Sequence, residues 1–343
     1  MTKVLMVAHD AGPCAAFREM KAGWPNWHGF LLQAGKAERP TDAELRLQIK
    51  QNDVVLVGLS SQKTAAFEIE ACRQAKAEGR KLVFFSDTFG AWARPWFAEF
   101  RDDVSLVTVV VQREVSAAQA LYPNAQVVAT GNPAWEQFHE PGDPVAARIA
   151  MGAAKKESVH LISGCKDYSV NAEMLLATFE ATQDQLFARV VFSQHPGDTT
   201  PPEQYVMLMD AAARKVHFTF LPQQVMTGEA AMCGADVVIV YNAASLALRA
   251  VALRIPLVVL RTPFAAARFR AESESEVNPL LQAQAAVDGW VNASTLRMAL
   301  REALYGTATL RVALQAHFFP AITPGAYINA LRSAVEGLVV LSE

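Results

Sequence analysis

The chain has no Cys-x-x-Cys pair. Its four cysteines, Cys14, Cys72, Cys165 and Cys233, are scattered over 343 residues, which argues against a disulfide framework or a zinc site. It also lacks an excess of one charge: 31 Lys and Arg stand against 34 Asp and Glu, a net charge of −3. That balance gives no general pull toward nucleic acid or an acidic membrane surface. Long apolar runs are missing too. The richest, near residue 240, is interrupted by Asn242, Arg249, Arg254 and Pro256, so no transmembrane segment is expected. Val4–Ala8 runs straight into His9 and Asp10, too short an apolar stretch for a signal peptide. The expectation is a soluble, cytoplasmic protein.

Several signatures of common chemistry are absent as well. The first strand leads into H-D-A-G-P-C rather than G-x-G-x-x-G, so the dinucleotide fingerprint is missing. No G-x-x-x-x-G-K-[ST] loop occurs, which disfavours a P-loop kinase or ATPase. There is no G-x-S-x-G elbow, no H-E-x-x-H pair and no clear D-x-D. Neither a resident cofactor nor a metal is expected.

What the chain does have is 52% hydrophobic residues arranged in short apolar runs between helical stretches. Candidate strands in the first part are Val4–Ala8, Val54–Leu59, Leu82–Ser86, Leu106–Val111 and Val127–Thr130, with helices at Ala65–Glu78 and Glu114–Leu121. A second series follows the loop Phe138–Pro144: strands at Val159–Ser163, Val190–Ser193, Phe218–Leu221, Val237–Val240 and Leu257–Leu260. Its helices are expected at Ala172–Leu186, Pro222–Cys233, Ser245–Leu253 and Ser294–Leu304. Such alternation argues for parallel sheets with right-handed crossovers. A chain of this length suits two domains, here 1–140 and 141–324. An amphipathic helix at 325–343 would return to the first.

The stretch Ala235–Leu260 is the most informative. A β-branched run, Val237–Val240, meets the small and polar turn Tyr241–Ser245, then a helix and a second strand opened by Pro256. Ligands in open α/β sheets bind at the carboxyl ends of such strands. Ser245 is placed to cap the helix and leave N–H groups for an anion. Asn242 belongs to the same turn. Gly164 and Lys166 form a Gly loop before a helix, where the ammonium can neutralise phosphate. His195 precedes Pro196 in another strand-end loop, and Arg261, Arg268 and Arg270 follow the last strand, near the acidic Glu272, Glu274 and Glu276.

On these segments the C-terminal half resembles the nucleotide-sugar domain of GT-B-fold glycosyltransferases and of UDP-N-acetylglucosamine 2-epimerases. The resemblance is carried by Ile162-Ser163-Gly164-Cys165-Lys166, Phe192-Ser193-Gln194-His195-Pro196-Gly197, Ala235–Ile239 with Ser245 and Pro256, and Asn278-Pro279-Leu280. In the N-terminal half, His9-Asp10-Ala11-Gly12, Phe85-Ser86-Asp87 and Gly131-Asn132-Pro133 extend it. It implies two Rossmann-like domains facing a central cleft, a nucleotide-sugar donor held by Gly164, Lys166, His195, Asn242, Ser245 and Arg261, and no metal. One departure stands out. The family often places Glu four residues after the Ser of the donor turn, where it holds the ribose; here that position is Arg249. A guanidinium cannot accept those hydrogen bonds.

The function implied is transfer of a sugar or related group to a sugar, lipid-linked or other hydroxyl acceptor in polysaccharide or glycoconjugate biosynthesis. The rival readings are a nucleotide-sugar 2-epimerase or hydrolase, and a non-catalytic protein binding a nucleotide or a partner. A homo-oligomer stays open. The general base is sought among Asp10, ranked first, His9 and Asp87, all at strand ends. Trp92, Trp96 and Phe97 stack on an acceptor or pack the core.

Overall fold

The structure, a computed structural model, describes residues 2–33, 35–185, 187–212, 216–273, 277–290, 293–306 and 308–340. The chain forms two compact units, Met1–Gln137 with Ile322–Glu343, and Phe138–Ala321. Each is built on a parallel six-stranded sheet, and the fold class is α/β as the alternation predicts.

In the first unit the strands are β1 (Val4–Ala8), β2 (Trp27–Leu31), β3 (Val54–Gly58), β4 (Lys81–Phe85), β5 (Val104–Val109) and β6 (Gln126–Ala129), in the order β2-β1-β3-β4-β5-β6. β1 and β3 are buried along their whole length, as continuous apolar runs covered by helices on both faces must be. The order reverses between β1 and β3, and the strand-end crevice at such a reversal is where open α/β sheets bind ligands. The last helix, Ala326–Val340, belongs to this unit. It buries Leu331, Val335 and Leu338 with Val4, Met6, Val54 and Leu106. Full burial of such side chains contributes roughly 1.5–3 kcal/mol each.

The second unit contains β7 (Ser158–Ser163), β8 (Ala188–Ser193), β9 (His217–Leu221), β10 (Val237–Val240), β11 (Leu257–Arg261) and β12 (Val287–Trp290). Their order is β12-β11-β10-β7-β8-β9, so the reversal lies between β7 and β10. One face of the sheet packs Ile162, Phe192, Ile239 and Val258 against Met174, Phe179 and Leu300.

Some elements depart from the sequence reading. β2 and β12 were not expected, nor was the helix Ala11–Gly23 that follows H-D. The helix expected over Pro222–Cys233 is much shorter. Thr227 accepts the Ala230 N–H at 3.2 Å and starts a helix only at Gly228–Ala231, followed by a 3-10 turn, Met232–Gly234. The helix expected at Ala172–Leu186 spans Tyr168–Thr182, and Leu186 lies outside the described residues. So do Leu341 and residues 342–343 of the expected last helix.

Candidate functional site

At the reversal of the second sheet lies a cavity of about 440 Å³. Its walls come from three strand ends: Ser163–Lys166 after β7, Ser193–Pro196 after β8 and Tyr241–Leu246 after β10. Thr227–Glu229 and Arg268 complete the lining. Gly164 is a residue that only glycine satisfies here. A side chain would meet the Phe192 ring at 2.7 Å and the Ser193 carbonyl at 2.9 Å. The absent Cβ lets the Gly164 N–H donate to that carbonyl at 2.9 Å, which ties the two loops together.

Beneath the loops is a buried polar brace. Asn171, fully buried on Tyr168–Thr182, accepts the Cys165 N–H at 2.8 Å and donates to the Cys165 carbonyl at 2.9 Å and the Tyr205 hydroxyl oxygen at 2.9 Å. Tyr205 in turn donates to Asp198 at 2.8 Å. The Gly loop and the His-Pro-Gly loop thus share one buried anchor. In a low-dielectric interior, such a fully satisfied network fixes geometry as well as adding stability.

On this scaffold the polar groups converge. The exposed Lys166 runs its stem over Gly197, close enough that a side chain there would meet Cε at 2.9 Å. Its ammonium has no ion-pair partner among the described residues. His195 Nδ1 accepts the Gly197 N–H at 2.9 Å, so the neutral ring carries its proton on Nε2 as a donor. Ser245 is the first residue of the helix Ser245–Ala252. It is not the cap expected of it: Ala244 holds the cap position without a side-chain bond, and Asn242 Oδ1 accepts the Ala244 N–H at 3.2 Å. Ser245 lines the cavity at a helix N-terminus, where unpaired N–H groups and the dipole favour an anion.

Five of the six expected donor residues, Gly164, Lys166, His195, Asn242 and Ser245, therefore line one cavity. Arg261 does not. Its guanidinium forms a two-point pair with Asp288, Nε–Oδ1 at 2.8 Å, because β11 and β12 set Val259 opposite Asp288. Arg268 lines the cavity instead. Arg249 points elsewhere, donating to the Glu140 carbonyl at 3.1 Å. Of the acidic run beyond, Glu274 and Glu276 lie outside the described residues. Glu229 was not singled out from the sequence and is a cavity wall.

A second polar cluster occupies the β1/β3 reversal of the first unit. His9 Nδ1 donates to the Thr64 carbonyl at 2.9 Å. Asp10 is fully engaged: Oδ2 accepts the Ser61 N–H at 2.7 Å and Oδ1 the Thr64 hydroxyl at 2.5 Å. The sequence reading missed Glu68, a buried carboxyl that accepts the His9 N–H at 2.7 Å and the Ser60 hydroxyl. Burial pushes Glu68 up to about 7 against those donors, and the Asp10 charge adds to the rise. Asp87, after β4, sits over Gly12, where a side chain would come within 2.1 Å of Oδ2. Its Oδ1 is buried without a partner. Burial raises the carboxyl to about 6, opposed by Arg94 and reinforced by Asp10. The aromatic group belongs to the core: Phe97 is buried, while Trp92 and Trp96 pack on it and donate to Glu114 and the Ser60 carbonyl. Among the described residues, no group of three or more His, Cys, Asp or Glu is placed to hold a metal ion. No described helix is long and apolar enough to cross a membrane.

No protein-family model matches the chain, and no curated protein matches it in sequence. Solved structures do. A protein described as a candidate UDP-N-acetylglucosamine 2-epimerase from Listeria monocytogenes superposes with a TM-score of 0.65 at 12% identity, over 100% of this chain and 98% of that one. MurG of Acinetobacter baumannii gives 0.63 at 12%, over 98% and 100%. Anabaena Alr3699/HepE, crystallised with UDP, gives 0.62 at 12%, over 98% and 100%. The chain shares the GT-B fold of these proteins.

Proposed function

We propose that the chain is a cytoplasmic glycosyltransferase that moves a sugar or related group from a nucleotide-diphosphate donor to a hydroxyl acceptor, such as a sugar or a lipid-linked saccharide. The observation that supports this most is the cavity at the β7/β10 reversal, with Lys166, His195 and the start of Ser245–Ala252 around one space. Preorganised donors of this kind stabilise the charge that grows on a departing diphosphate, and they do so without a cation. The UDP in the Anabaena HepE structure agrees with such a ligand.

The base is best sought in the first unit. Asp10 spends both oxygens on the Ser61–Thr64 loop, whereas Asp87 keeps an oxygen unpartnered and titrates at about 6. A base works best with a pKa near the working pH, so Asp87 replaces Asp10 at the head of the ranking. A second reading draws on the same cluster. Two carboxyls raised toward neutrality, Glu68 and Asp87, suit the acid and base of a nucleotide-sugar 2-epimerase or hydrolase.

Incubating the protein with a panel of nucleotide sugars separates these readings. A transferase releases nucleotide diphosphate only when an acceptor is added. An epimerase or hydrolase changes the sugar nucleotide alone. A binding protein shows only ligand-dependent stabilisation. Failure of every nucleotide to bind would remove the donor-site reading altogether.

A further inference from the structure

Glu229 is the one carboxylate among the described lining residues of the cavity. It stands half-buried in the first turn of Gly228–Ala231 and has no hydrogen bond or ion pair with any described residue. Its backbone is held firmly. A side chain at Gly228 would meet Leu246 Cδ1 and Ser193 Oγ, each at 2.7 Å, so this turn packs directly on the start of Ser245–Ala252.

Two of the neutral acceptors near this wall already take a hydrogen bond, and none of the neutral groups carries the charge that Glu229 does. Asn242 Oδ1 accepts the Ala244 N–H. The Gln194 carbonyl accepts from Gln223 Nε2 at 2.8 Å. Arg249, on the helix beside Glu229, has only donors and is turned to the Glu140 carbonyl. One cavity thus presents an ammonium, Lys166, and a carboxylate, Glu229, neither of them paired with the other or with any described charge. The complementary ligand carries an anion and, apart from it, a pair of hydrogen-bond donors. A vicinal diol offers two O–H groups to the two oxygens of a carboxylate, and such charge-assisted bonds are the strong ones.

We infer that Glu229 accepts hydrogen bonds from the 2′- and 3′-hydroxyls of the donor's ribose and makes the cavity selective for ribonucleotides. The inference rests on the reading of this cavity as a nucleotide-diphosphate site. It makes Glu229 a specificity residue: a 2′-deoxy ligand would leave one of its oxygens unpaired.

The test is calorimetric titration with UDP, GDP, ADP and CDP, followed by the 2′-deoxy form of whichever binds most tightly. Wild type is expected to prefer the ribonucleotide by about tenfold or more, the worth of one charged hydrogen bond. In Glu229→Gln and Glu229→Ala the preference should shrink to about twofold or less, through loss of ribonucleotide affinity alone. Lys166→Ala should weaken both nucleotides and keep their ratio. No preference in wild type, or an unchanged preference in both Glu229 variants, overturns the assignment while leaving the nucleotide site standing. If none of the four diphosphates binds, the site reading itself falls, and this inference with it.

Discussion

Asp10 and Asp87 differ in what their oxygens touch, and that difference predicts different phenotypes. Asp87→Asn should lower turnover by about 100-fold or more while nucleotide affinity changes little. Asp10→Asn weakens its links to Ser61 and Thr64, and should cost about 1–3 kcal/mol of stability. Near-normal turnover in Asp87→Asn would place the base elsewhere. On the donor side, Lys166→Ala should weaken nucleotide-diphosphate binding by about 1.5–3 kcal/mol; unchanged affinity would return that residue to the solvent. Lys166, His195 and Ser245 were legible in the sequence because each ends an apolar strand with a Gly, Pro or small-residue turn. Glu68 was not. An acid inside a helix reads as a solvated face, and only its packing under β1 and β3 shows it buried. Asn171 and Tyr205 escaped for another reason: they meet 34 residues apart, and neither residue type advertises a buried pair.

The buried strands were readable as elements, and so were the edge strands β6 and β9, but the other two edges, β2 and β12, were not. β1, β3 and β10 are continuous apolar runs. β2 reads W-H-G-F-L and β12 reads V-D-G-W, because a strand at the rim of a sheet is partly solvated and carries mixed composition. The helix Ala11–Gly23 hid behind Gly12 and Pro13, residues that the first turn of a helix tolerates. The last helix shows a device that no local pattern reveals. Glu136 accepts the Gly325 N–H at 2.7 Å, the Tyr327 N–H at 2.8 Å and the Ile328 N–H at 3.0 Å, capping a helix almost two hundred residues downstream. Glu136→Ala should cost about 1–3 kcal/mol, read as a lower urea midpoint with the helix losing amide protection first. Protection unchanged in Ala326–Val340 would show that burial of Leu331 and Val335 suffices without the cap.

At the scale of the molecule, the two units should answer acid in opposite ways. Glu68 titrates at about 7 in the folded chain and near 4.5 when unfolded. Between those values the folded state binds the extra proton, so the first unit loses stability as pH rises. Asp87 acts in the same direction. In the second unit burial holds His160 down to about 4 from its ordinary 6.5. There the unfolded chain takes the proton, and stability falls as pH drops through that window. Hydrogen exchange between about pH 7.5 and about 5.5, corrected for intrinsic rates, should therefore show protection rising around β1 and β3 and falling around β7. A uniform response of both sheets would refute it. The first unit also has a consequence in time rather than energy. Its β1 stacks on Leu331 and Val335, which leave a ribosome only after the whole of Phe138–Ala321. During synthesis the second unit can finish first, while the earlier-made unit waits for its final helix. A nascent chain stalled before residue 326 should hold a protease-resistant second unit beside a still-digestible first one.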